Sequence, residues 1–153
     1  MGRLLTMLLV GLLSVSPVFA GTQNPFRVEA TDVSLKSDEA GALQVIVRVP
    51  KDHHLYRDMM EVNAVKQDEP ATLSVGEPSF PPGFTKPDPA DPTATREQYD
   101  MDVVIEVPVN KGAQPGTYTL SFEVRYQGCK KSLCWMPQTE IVESTVTVGA
   151  PSK

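Results

Sequence analysis

The sequence predicts an all-β chain folded as a single immunoglobulin-like antiparallel sandwich. Apolar and polar residues alternate at period two, as in Leu43, Val45, Val47 and Val49 and again in Tyr118, Leu120, Phe122, Val124 and Tyr126. That is the pattern of strands with one buried and one wet face. No long segment carries a helical period. About seven short strand candidates separated by turn signals suit a sandwich better than the alternative, a closed barrel, in a chain of this length.

In chain order the first candidate is Phe26 to Leu35, followed by the turn signal Asp38-Glu39-Ala40-Gly41 and the alternating run Leu43 to Val49. Met59 to Val65 and Ala71 to Val75 come next. Glu77 to Thr95 interrupts the pattern, since it holds six of the fourteen prolines, Pro78, Pro81, Pro82, Pro87, Pro89 and Pro92. Proline cannot donate to a ladder, so this stretch is no central strand. It reads either as a stiff solvated crossover with Asp88 and Asp91 as turn formers, or as a lid over a site. Met101 to Val109, the turn Gln114-Pro115-Gly116, Tyr118 to Tyr126 and Ile141 to Val148 complete the set.

The first twenty residues read as a cleavable export signal. Arg3 gives the positive start, Leu4 to Leu13 the apolar run, and Val18-Phe19-Ala20 the small-x-small cleavage pattern before Gly21. Ser14, Ser16 and Pro17 break the run well short of the roughly 20 apolar residues of a membrane span. The product is expected to be soluble, outside the cytoplasm in an oxidising compartment, and to form one domain over residues 21–153. Without Arg3 the chain has 13 basic against 19 acidic residues, a net charge of −6. Its one basic cluster is Lys130-Lys131, so nucleic acid and anionic membrane are not expected partners.

In that compartment the two cysteines, Cys129 and Cys134, are expected to form a disulfide. They lie in the segment joining Tyr118 to Tyr126 with Ile141 to Val148, so they should bracket the tip of a hairpin, with Cα atoms near the roughly 5.5 Å a disulfide uses and sulfurs near solvent. Closing so short a loop removes only about 2 kcal/mol of unfolded-state freedom, a weak reason to keep it for stability. Exposed sulfurs suit thiol exchange, and Gly128 would let another backbone come close. Lys130 and Lys131 would favour a thiolate. Asp88 or Asp91, if the proline-rich loop folds over the hairpin, would oppose one.

Tyr126-Gln127-Gly128-Cys129, followed by Cys134-Trp135-Met136-Pro137, resembles the Tyr-Gln-Gly-Cys and Cys-Tyr-Pro-Pro motif of the N-terminal periplasmic domain of the thiol:disulfide interchange protein DsbD. Asp52-His53-His54-Leu55-Tyr56-Arg57 is similar to that family's Asp-Gly-Tyr-Tyr-Leu-Tyr-Arg segment, and Phe80-Pro81-Pro82-Gly83-Phe84 stands where the family has Leu-Pro-Gln-Gly. The resemblance implies an immunoglobulin-like sandwich that takes electrons from a thioredoxin-like donor or a membrane electron conduit and passes them to disulfide-bonded periplasmic oxidoreductases. No cofactor beyond the disulfide is implied. It makes Cys134 the attacking thiol and Cys129 its resolving partner. His54, Tyr56, Tyr126, Gly128 and Trp135 become supporting or partner-contacting residues. The family's lid corresponds to Lys86 to Glu97, with Asp88, Asp91, Pro92 and Thr93 as its residues here. The chain departs from the family in having four residues between its cysteines instead of five, and in lacking an aromatic residue from Pro87 to Arg96, so that Pro92 or Thr93 would do the shielding. It also stops at Lys153, short of the family's membrane conduit and thioredoxin-like domain, which implies a separate reductant.

Two other readings stand beside this one. Cys129, Cys134, His53, His54, Met59, Met60, Met101 and Met136 are soft ligands of the type that hold Cu(I). Adjacent histidines on a strand point to opposite faces, however, so only one of His53 and His54 could join a site. No metal site is therefore expected. The other alternative is a secreted interaction domain with a purely structural disulfide, in which Trp135 only caps the core and Tyr56 is a buried aromatic with a satisfied hydroxyl.

Overall fold

The computed structural model describes residues 23–65, 73–89 and 91–152. The expected export signal and the first part of the Ala71 to Val75 candidate lie outside them.

Twelve strands form among the described residues, with one turn of 3-10 helix at Arg57–Met59. One sheet of the sandwich is built from β1 (Arg27–Ala30), β3 (Gly41–Arg48) and β8 (Val103–Val109), in the order β1-β3-β8. Facing it is a four-stranded sheet of β2 (Val33–Lys36), β12 (Gln138–Gly149), β9 (Gly116–Tyr126) and β5 (Glu61–Ala64). Leu43, Val45 and Val47 of β3 and Ile105 and Val107 of β8 share one core with Leu120, Phe122 and Val124 of β9 and Val146 of β12. These are the inward members of the period-two runs, and burying them drives the two sheets together.

A third sheet adjoins this sandwich. Its order is β11 (Leu133–Cys134), β10 (Gly128–Lys130), β4 (His54–Tyr56), β7 (Thr95–Tyr99) and β6 (Phe84–Pro87). Leu55 and Tyr99, opposite each other across β4 and β7, extend the main core into it.

Three strand expectations are corrected. Phe26 to Leu35 is two strands in different sheets, because the chain changes sheets at Thr31-Asp32. There Ser144 Oγ donates to the Thr31 carbonyl at 2.7 Å and the Asp32 carboxylate accepts the Thr145 N–H at 2.7 Å. As a result β2 runs parallel to β12, the one parallel pairing among otherwise antiparallel ladders of the described strands. Met59 to Val65 begins as a 3-10 turn and becomes a strand only at Glu61. The proline-rich stretch is a crossover in its first part and a strand at Phe84–Pro87, which fits because β6 is an edge, where a missing N–H costs least.

Candidate functional site

The two cysteines stand directly across from each other in a small hairpin inserted between β9 and β12. Cys129 faces Cys134 and Lys130 faces Leu133, leaving Lys131 and Ser132 as the turn. Lys131 takes φ 54°, the left-handed region that residues with a Cβ enter at some cost. A disulfide joins the pair, with sulfurs 2.00 Å and Cα atoms 4.0 Å apart. The Cα separation is shorter than expected because the cysteines are opposed in a narrow, non-hydrogen-bonded pair.

The expectation of two solvent-near sulfurs is corrected. Cys129 is 0% exposed, whereas Cys134 is only half-buried. Strand order explains the asymmetry: β10 is flanked by β11 on one side and β4 on the other, and β11 is the free edge. Beside Cys134 an open groove of about 400 Å³ is lined by Asn24, Leu133, Trp135, Met136 and Gln138. Leu133 is 68% and Met136 79% exposed, so the rim of the reachable sulfur is apolar.

Three-residue β4 carries the other side of the site. His54 is the register partner of Cys129, and Leu55 that of Gly128. Successive strand residues face opposite ways. Leu55 therefore joins the core, while His54 and Tyr56 share the other face, their rings 5.1 Å apart and edge-on. Cys129 and Tyr56 are fully buried yet stand outside the main core cluster, so this face is a second interior with its own chemistry.

That second interior is polar. The Tyr56 hydroxyl donates to Asp88 Oδ1 at 2.6 Å, and the Arg96 guanidinium stacks over the Tyr56 ring at 3.7 Å. Arg96 also bonds Asp58 at 2.6 Å and lies 3.7 Å from Asp88 Oδ2. Burial, with the Asp88 bond behind it, pushes the Tyr56 hydroxyl up to about 12. His54 is 7% exposed and its Nε2 has no hydrogen-bond partner among the described residues. Burial holds its imidazole below the ordinary value against the opposing pull of Asp88.

Of the other residues singled out from the sequence, Trp135 packs edge-on against Phe26 at 5.9 Å and lies 5.3 Å from the His53 ring, anchoring the hairpin to the core. Its backbone N–H donates to the Gly128 carbonyl at 3.0 Å. Gly128 is corrected: it is buried and leaves no room for another backbone, because a Cβ there would come within 2.1 Å of the Phe26 ring. The glycine exists for a side chain of its own molecule. Tyr126 is likewise turned into the protein. It is buried, its hydroxyl donating to Glu140 Oε1 and accepting from Asn24 Nδ2 at 2.6 Å.

The loop joining β6 to β7 divides sharply. Asp88 points inward to Tyr56, whereas Asp91, Pro92 and Thr93 are exposed, with the Asp91 carboxylate accepting from the Thr93 N–H and hydroxyl. The register puts this loop at the Tyr56 end of β4, two residues along from the row that holds the cysteines. Sequence reasoning missed Arg96 and Phe26. Neither had a local signal, since Arg96 matters through Tyr56 and Asp58 and Phe26 through Gly128 and Trp135, all distant along the chain. His53 and His54 turn to different neighbours, Phe26 and Trp135 for one and Tyr56 for the other. Among the described residues no three His, Cys, Asp or Glu side chains are grouped to hold a metal ion, and no helix is long and apolar enough to cross a membrane.

Residues 23–146 match the family described as Thiol:disulfide interchange protein DsbD, N-terminal. The chain belongs to that family. Two solved structures of the DsbD N-terminal domain from Neisseria meningitidis share the fold. One, in the reduced form, is 20% identical with a TM-score of 0.51, covering 76% of this chain and 82% of its own. The other, in complex with the PilB N-terminal domain, is 21% identical with a TM-score of 0.54, covering 84% and 88%. No curated protein sequence matches the chain. DsbD family membership and a formed Cys129–Cys134 disulfide together support thiol-disulfide exchange.

Proposed function

We propose that this domain relays two electrons through Cys129 and Cys134 in the periplasm, from a thioredoxin-like or membrane-linked reductant to disulfide-bonded oxidoreductases. The asymmetry of the pair carries the reading: a half-exposed Cys134 on an edge strand beside a fully buried Cys129. Exchange is an in-line attack through a mixed disulfide, so the sulfur that a partner can reach must be the one that bonds to it. In the reduced domain, Cys134 as thiolate attacks a client disulfide and one client sulfur leaves. Cys129 then attacks Cys134 Sγ, re-forming the internal disulfide and releasing the second client thiolate. His54, Tyr56 and Asp88 line the buried side of this reaction, Trp135 holds the hairpin, and Gly128 and Tyr126 support it from within. Of the loop between β6 and β7, Asp88 is the residue that takes part, in place of Pro92 or Thr93.

Two measurements test this. Equilibrated against glutathione or dithiothreitol buffers, the pair is expected to show a potential between about −180 and −270 mV, the span of exchange proteins. A value below about −300 mV means a structural disulfide and overturns the reading. Cys129→Ser is expected to trap a thioredoxin-like protein as a mixed disulfide through Cys134, and Cys134→Ser to trap nothing. The reverse pattern overturns the assignment of the attacking thiol.

A further inference from the structure

We propose that His54 is the general base that takes the proton of the Cys129 thiol when that cysteine resolves the mixed disulfide. The inference rests on the exchange reading above, with Cys134 attacking and Cys129 resolving.

The problem it answers is set by burial. The resolving sulfur must become a thiolate to attack, and a thiol shut away from water ionises reluctantly. Cys129 is 0% exposed, and the two neighbouring lysines, Lys130 at the end of β10 and Lys131 in the turn, are exposed. A proton acceptor has to be supplied from inside the sheet.

The register supplies one. His54 is directly opposite Cys129 in the β10–β4 ladder, and opposed residues carry their side chains on one face with Cβ atoms about 4.5–5.5 Å apart. Its Nε2 is buried and has no hydrogen-bond partner among the described residues while the disulfide is formed. A buried polar atom without a partner calls for an explanation. A disulfide sulfur has no proton to give, but a reduced Cys129 does, so the missing donor appears when the pair is reduced. The other candidate base, Asp88, already accepts the Tyr56 hydroxyl and faces Arg96.

The imidazole is held in the accepting form. Burial lowers its proton affinity, and His53 and Lys86 add to that, while Asp88 and Asp100 oppose it. Asp52, Lys130 and Lys131 line the same open depression as His54, and the Tyr56 ring lies edge-on to it. At neutral pH the ring is therefore uncharged. The step balances without an outside reagent: the Cys129 proton moves to Nε2, the Cys129 thiolate bonds to Cys134 Sγ, and the bond from Cys134 to the client breaks. The client sulfur leaves with the electron pair, and the imidazolium returns its proton to water or to that departing thiolate.

The experiment uses the reduced protein and an aryl disulfide, dithiobis-nitrobenzoate, whose thiolate is coloured. The first release, which depends on reagent concentration, reports attack by Cys134. The second, which does not, reports resolution by Cys129. Cys129→Ser should give only the first. In His54→Gln and His54→Ala, the second release is expected to slow by about tenfold or more at neutral pH and to recover only at alkaline pH, where the thiol ionises unaided. The first release should stay within about twofold, and an unchanged circular dichroism spectrum and cooperative thermal melt show that the variant is folded. A second release with wild-type rate and pH profile in either variant overturns the role of His54. Absence of the first release from the wild-type protein overturns the exchange reading and this inference with it.

Discussion

The two faces of β4 share a backbone and nearly the same burial, yet they are different materials. On one, Leu55 meets Tyr99 and the main core. On the other, His54 and Tyr56 meet Cys129, Asp88 and Arg96. A buried apolar face contributes by area removed from water. A buried polar face is held by satisfied bonds, and an atom left without a partner among the described residues, His54 Nε2, calls for an explanation. The comparison teaches that burial locates the interior, and only the partner set tells a core from a site.

The largest effect should come from the apolar face. Leu55→Ala removes a fully buried side chain and is expected to cost about 2–5 kcal/mol, lowering the melting temperature by roughly 8 °C or more. Folded samples should keep their exchange kinetics with dithiothreitol. If the kinetics collapse while the fold holds, the two faces are not separate.

Next is Gly128→Ala, on the same apolar side but one strand away. Its Cβ would land 2.1 Å from the Phe26 ring, an overlap that ring cannot absorb without moving. A loss of about 1–3 kcal/mol in chemical unfolding is expected. Combining it with Phe26→Leu should cost less than the sum of the single changes, because the smaller side chain vacates the contested space. Strict additivity in that cycle would show that the glycine is needed for something other than Phe26.

On the polar face the expected losses are smaller. Tyr56→Phe keeps the ring under Arg96 and removes only the hydroxyl that donates to Asp88. About 1–2 kcal/mol is expected, since a buried carboxylate oxygen loses a donor but Arg96 stays nearby. A neutral result by chemical unfolding would mean that water or another donor replaces the hydroxyl freely.

The same contrast explains what was legible in the sequence. Long strands with one wet face announce themselves, so β3, β8, β9 and β12 were readable from alternation alone. β4 has three residues, all buried, one apolar face and one polar, and so no period to read. β6 and β7 are short, and β6 follows Pro81-Pro82-Gly83 and ends on Pro87, prolines that argue against a strand. The cysteine pair was visible because its chemistry is carried by residue type. As neighbours of the cysteine pair, His54 and Tyr56 were visible only through resemblance to the DsbD domain. The fit of Phe26 to Gly128 joins opposite ends of the chain, and no local pattern encodes it. The sheet change at Thr31-Asp32 was hidden for a related reason: the apolar alternation continues across it, and only bonds to Ser144 and Thr145 reveal the switch.

The finest test of the comparison is pH, because the polar face and the exposed carboxylates titrate in different windows. His54 is depressed below 6.5 chiefly by burial, so the unfolded chain binds its proton first as pH falls. Stability tied to the neutral ring is present above about 6.5 and is lost as pH drops through the lower folded value. Asp102, held below 3.8 by its bonds to Arg48 and the Val49 N–H, contributes above its unfolded value and loses that only under acid conditions. Its pair is solvent-screened, so its contribution is small. Thermal melts of the oxidised protein should therefore show a decline beginning in mildly acid buffer, well before the carboxylates protonate. His54→Gln should flatten that early decline and leave the acid limb, whereas Asp102→Asn should soften only the acid limb. An early decline that persists in His54→Gln would assign it to another group and remove the titration that separates the two faces.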